Sequence, residues 1–98
     1  MKREDVLNEA NIIVSKDRES QYGSPENSFG EIAKLWSGYI GREITPHDVA
    51  IMMALMKIAR IKCGRYKEDS YIDACGYIAC AGELGFCGED EKEWMKKK

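Results

Sequence analysis

Three charged residues stand where the surrounding pattern is apolar. In the run DVAIMMALMKIAR, Asp48 to Arg60, helical spacing returns Arg60 to the stripe of Val49, Met53 and Met56, with Lys57 three residues before it. In DACGYIACAGEL, Asp73 shares a face with Tyr77, Cys80 and Leu84. Lysine and arginine can lay their stems along such a face and lift the charge into water. A short carboxylate has less reach, and removing one partner of a buried ion pair costs about 3–5 kcal/mol. Asp73 therefore calls for a cation, which Arg60 or Lys57 could supply. Two outcomes stay open: an Asp73–Arg60 pair that fixes helix register, or a polar cluster lining a pocket for an anion.

A second constellation lies in DRESQYGSPENSF, Asp17 to Phe29. Gly23 permits a tight turn. Ser24 can cap the helix that Pro25 opens, and a helix N-terminus favours negative charge. Arg18 and Tyr22 precede that turn. An arginine, a ring and a helix N-terminus together suit a nucleotide, with charge for phosphate and a ring for stacking. The plainer alternative packs Tyr22 beneath the turn and pairs Arg18 with Asp17 or Glu19. The candidate ligand-binding set is Arg18, Tyr22, Gly23, Ser24, Trp36, Lys57, Arg60, Asp73 and Tyr77. No nucleophile constellation or phosphate-cradling glycine loop appears, so no catalytic residue is assigned. His47 reads as an exposed first-turn residue.

The four cysteines, Cys63, Cys75, Cys80 and Cys87, form no C-x-x-C pair, and His47 is distant from them in sequence. That spacing does not suit zinc. Reduced thiols are expected, with Cys75 and Cys80 as small core residues.

These residues must be positioned by helices, because no run reads as a strand. The first helix is expected from about Arg3 to Ser20, with Val6, Ala10 and Ile13 on one face and Ile12 and Val14 widening it. The second starts at Ser24-Pro25, places Phe29, Ile32, Ala33, Trp36 and Ile40 on a stripe, and stops at Gly41. The third opens at Thr45-Pro46-His47-Asp48, a capping-box signal, and ends at Gly64. Apolar residues surround it, so it is central or covered by another subunit. The fourth spans about Asp69 to Leu84, with Tyr71, Cys75, Ile78 and Gly82 on its other face. Its glycines, Gly76 and Gly82, suit a close approach by a helix or a ligand. The expected fold is all-α, a compact antiparallel bundle of three to four helices that forms a homo-oligomer. Residues 1–88 make one helical domain, and 89–98 a charged tail anchored only by Trp94 and Met95.

Composition sets outer limits. Ninety-eight residues suit one domain with a modest core, which oligomerisation would support. Apolar residues make up 44% and charged residues 33%, as in ordinary globular chains. A net charge of −2 argues against a duplex-DNA partner, though a local cationic pocket remains compatible with it. No segment reads as a signal peptide or a membrane span, and a bacterial cytoplasm is the expected location.

DRESQYGSPENSFGEIAKLWSGYIG, ITPHDVAIMMALMKIARI and EDSYIDACGYIACAGEL, in that order, resemble a family of small phage and prophage proteins of unassigned function. The likeness covers about Asp17 to Leu84 and rests on D-R-x-x-x-Y-G, the Trp36 helix, K-x-A-R and D-x-x-G-Y. It implies a phage origin, a helical fold and action inside a bacterial host. The chain is more loosely similar to the all-α nucleoside triphosphate pyrophosphohydrolases of the MazG type, which grip Mg²⁺ through E-x-x-E and E-x-x-D. Here Glu26 and Glu31 are five apart rather than three, and Asp69 and Asp73 are four apart. On that resemblance Glu31, Asp69 and Asp73 would be the metal ligands; otherwise no metal or cofactor is expected.

Three functions follow as expectations. The leading one is a phage protein that captures a nucleotide signal of host defence, such as a cyclic dinucleotide, without turnover. The second is a MazG-like, Mg-dependent pyrophosphohydrolase. The third is a protein-binding module that blocks a host enzyme through its apolar faces or tail.

Overall fold

Four α-helices form where capping and spacing favour them, in a computed structural model that describes residues 1–17 and 25–85. Helix α1, Arg3–Ile12, opens with the Lys2 backbone N–H donating to Asp5 Oδ2 at 2.9 Å. It continues as a π-helical turn, Ile13–Asp17, where a regular helix is expected, and the remainder of that expectation, 18–20, lies outside the described residues. The β-branched run Ile12–Ile13–Val14 is a poor α-former at that point. Helix α2, Pro25–Ile40, stops at Gly41, whose φ of 81° is the left-handed value a glycine accepts readily. Helix α3 spans Pro46–Cys63 and α4 spans Glu68–Gly85. No strand occurs among the described residues.

The α2–α3 connection is tied to both helices just before α3 begins. Ser37 Oγ accepts from the Ile44 N–H at 2.8 Å and donates to the Ile44 carbonyl at 3.2 Å. Next to it, Thr45 Oγ1 accepts from the Asp48 N–H at 3.1 Å, and Asp48 Oδ2 accepts from the Thr45 N–H at 3.0 Å. This is the capping box expected from the sequence. The bond from the Thr45 backbone N–H and, after it, the Thr45 hydroxyl hold the Asp48 carboxyl below its ordinary pKa.

Packing centres on α3 and α4, which lie along each other, with α2 against α3 and α1 against α4. The core joins Phe29 and Ala33 of α2, Val49, Ala50 and Ala54 of α3, and Tyr77, Cys80 and Ala81 of α4. Small residues dominate it, which lets helix axes approach closely. The Phe29 and Tyr77 rings meet at 6.2 Å with a 53° tilt, a tilted aromatic pair. Sequential neighbours α3 and α4 run antiparallel: Lys57 meets Asp73 near their joining turn, and His47 lies against Gly85 at the far end. Helices α1 and α4 instead run parallel, with the Met1 amino group 4.0 Å from Glu68 and Val14 beside Gly76.

Several expected faces shift. On α4 the face bearing Tyr77, Cys80 and Asp73 turns inward, while Tyr71 and Ile78 of the other face are exposed. On α3 the inward residues are Val49, Ala50 and Ala54, and Met52, Leu55, Met56 and Ile58 stay exposed although the helix is central. Ile40 is exposed, Cys75 is half-buried, and His47 is half-buried against Gly85 rather than free in its turn. The charged tail, with Trp94, Met95 and Cys87, lies outside the described residues. No helix among the described residues is long and apolar enough to cross a membrane.

Candidate ligand-binding cleft

The inward face of α3 runs through residues 49, 50, 53 and 54, and one further turn brings it to Lys57. Lys57 thus lies on the buried side while Arg60 lies outward. The Lys57 side chain keeps only 14% of its exposure, and its Nζ stands 2.9 Å from Asp73 Oδ2. Asp73, 30% exposed, sits one turn before Tyr77 on the inward face of α4. The partner of Asp73 is therefore Lys57 and not Arg60. The reason is the small-residue seam: packing through Ala50 and Ala54 rotates α3 away from the orientation its methionines suggest.

Above this pair the α3–α4 turn opens into a cleft of about 680 Å³. Helix α3 lines it with Lys57, Arg60 and Cys63, the turn with Gly64, Arg65 and Lys67, and α4 with Asp69, Ser70 and Asp73. Four cations face two carboxylates there, in a chain whose net charge is −2. One carboxylate is already matched by Lys57, so Arg60, Arg65 and Lys67 supply the local positive excess. All three are exposed and, together with the exposed Asp69, form a net-positive rim, whereas Lys57 and Asp73 form the floor.

Gly64 shapes the turn end of the cleft. A Cβ there would come within 2.8 Å of the Arg60 carbonyl oxygen, which the Gly64 N–H already meets at 2.9 Å. The backbone can close on α3 at that point because no side chain intervenes. Beside the cleft, Tyr66 in the turn packs its ring 5.5 Å from that of Tyr71.

The cleft gathers Lys57, Arg60, Asp69 and Asp73 from the sequence-derived candidates. Tyr77 is buried in the core and Trp36 packs against it, so neither reaches the cleft. Arg18, Tyr22, Gly23 and Ser24 lie outside the described residues. Glu31 sits on α2, ion-paired with Lys34 at 3.4 Å, apart from Asp69 and Asp73. Among the described residues no three His, Cys, Asp or Glu side chains come together in a metal-binding group. Arg65 and Lys67 were not singled out from the sequence, although G-R-Y-K directly after the helix stop at Gly64 is a basic turn.

Comparison with known proteins finds sequence relatives among phage proteins. Residues 5–85 match the model of the domain of unknown function DUF6378. The Gene 55 protein of Mycobacterium phage D29 is 46% identical over 81 residues, covering 83% of this chain and 54% of that protein. The Gene 55 protein of Mycobacterium phage L5 is 41% identical over 88 residues, covering 89% and 56%. The chain thus spans about half the length of the curated relatives it matches. No solved structure matches it.

Proposed function

The chain belongs to the DUF6378 family, whose matched relatives are phage proteins, and from that premise we propose that it binds a phosphorylated nucleotide in the α3–α4 cleft without turning it over. In a phage protein, such capture would lower the free concentration of a nucleotide signal of host defence, including a cyclic one. The observation that carries this reading is the cationic rim of Arg60, Arg65 and Lys67 around a space of about 680 Å³. That volume falls within the range of small-molecule sites, roughly 300–1,000 Å³. Guanidinium forks suit phosphate oxygens, and a concave basic site concentrates anions even on an acidic protein.

A homo-oligomer belongs to the same reading. Met52, Leu55, Met56 and Ile58 leave an apolar edge on α3 that a second copy could cover. The test is incubation of the purified protein with a nucleotide panel, with and without Mg²⁺, followed by heat release and chromatography. Recovery of the intact nucleotide supports capture. Mg²⁺-dependent release of pyrophosphate would replace capture with the pyrophosphohydrolase reading. Absence of binding to the whole panel would leave the protein-binding module, and a native mass would report the subunit count.

A further inference from the structure

The floor and the rim of the cleft differ in a way that selects among phosphorylated ligands. We infer that the Lys57–Asp73 pair is a specificity element that turns away bare inorganic phosphates and accepts the uncharged nucleoside part of a phosphate ester. This rests on the anion-binding reading of the cleft. The Lys57 charge is engaged at 2.9 Å by Asp73 Oδ2 and is largely removed from water. A phosphate group pushed to the floor would meet the Asp73 carboxylate at close range, and like charges in a partly desolvated place repel strongly. The rim carries one exposed carboxylate, Asp69, against three exposed cations, so it stays net positive. Arg60, Arg65 and Lys67 are exposed and line the mouth, where an entering anion meets them first.

The floor instead offers a matched donor and acceptor. A carboxylate has two oxygens able to accept hydrogen bonds, and an ammonium has three hydrogens to donate. A group that both donates and accepts without carrying charge complements such a pair, and sugar hydroxyls and base-edge amides are of that kind. The ligand would therefore enter with its phosphate at the Arg65–Lys67 turn and its nucleoside toward Asp73. The polarity follows from the fold: the cations of the turn are exposed, while the pair one to two turns inward lies between the packed α3 and α4 and is largely covered.

The test compares ligands with matched phosphates. Binding of ADP, GDP, CDP and UDP is measured by calorimetry against inorganic pyrophosphate, on the intact chain. The expected result is that at least one nucleoside diphosphate binds about tenfold or more tightly than pyrophosphate, the size of one hydrogen bond to a charged acceptor. In Asp73→Asn the ratio should fall toward one, with pyrophosphate gaining affinity because Lys57 is released to it. Arg65→Ala should weaken both ligand types to a similar extent and leave the ratio in place. Equal affinity for pyrophosphate and the best nucleoside diphosphate in the native protein overturns the specificity role while keeping an anion site. An unchanged ratio in folded Asp73→Asn does the same. Failure of every phosphate compound to bind overturns the anion-site reading itself, and this inference with it. Should Asp73→Asn not fold, the native-protein ratio decides alone.

Discussion

Replacing Asp73 by asparagine removes one half of the contact that ties α3 to α4 beneath the cleft. At the observed 2.9 Å, two unit charges interact by about 6 kcal/mol at an effective dielectric constant near 20, before desolvation is subtracted. Truncating one partner of a fully buried pair costs about 3–5 kcal/mol. Here Asp73 keeps 30% of its side-chain exposure and Lys57 keeps 14%, so water can partly re-solvate whichever charge remains. The expected loss for Asp73→Asn is therefore about 2 kcal/mol. For a domain of this size that lowers the melting temperature by roughly 10 °C. The assay is urea denaturation of the native chain, Asp73→Asn, Lys57→Met and the double variant, read as a double-mutant cycle. A coupling of about 1–2 kcal/mol is expected, since contacting residues couple while independent ones add. Single-variant losses that add to within about 0.5 kcal/mol would show that the two heads do not interact, and the division into floor and rim would fall with them.

Arg60→Ala should weaken nucleotide binding by about 1.5–3 kcal/mol, roughly 10- to 150-fold, while leaving the melting temperature almost unchanged because the side chain is exposed; calorimetry and a thermal melt check both halves. Thr45→Ala should destabilise the fold by about 1 kcal/mol through loss of the α3 cap, measurable by urea titration. The Asp48 carboxyl is held low by its bonds to Thr45, so its contribution to stability is present above the unfolded carboxylate pKa and is lost as pH falls through the lower folded one. Denaturation midpoints measured downward from about pH 5 should accordingly fall less steeply in Asp48→Asn than in the native chain.

Local chemistry made much of this protein readable in one dimension. Thr45-Pro46 with Asp48, and the stop at Gly41, act over four or five residues, so sequence alone locates the start of α3 and the end of α2. The phage resemblance was likewise carried by short ordered runs. The anomaly of Lys57, Arg60 and Asp73 was visible too, because a carboxylate on an apolar helix face needs a partner whatever the fold. Which cation answers it was not visible. Helical spacing weighted by large side chains put Arg60 on the core stripe, but the axis of α3 is set by what packs against α4, and there Ala50 and Ala54 permit the closest approach. That rotation buries Lys57, turns Met52 and Met56 outward and leaves Arg60 on the rim. The cleft, too, exists only in three dimensions: Arg65 and Lys67 become binding candidates once the turn at Gly64 folds them toward Arg60, a proximity that residue spacing in a connecting segment does not encode.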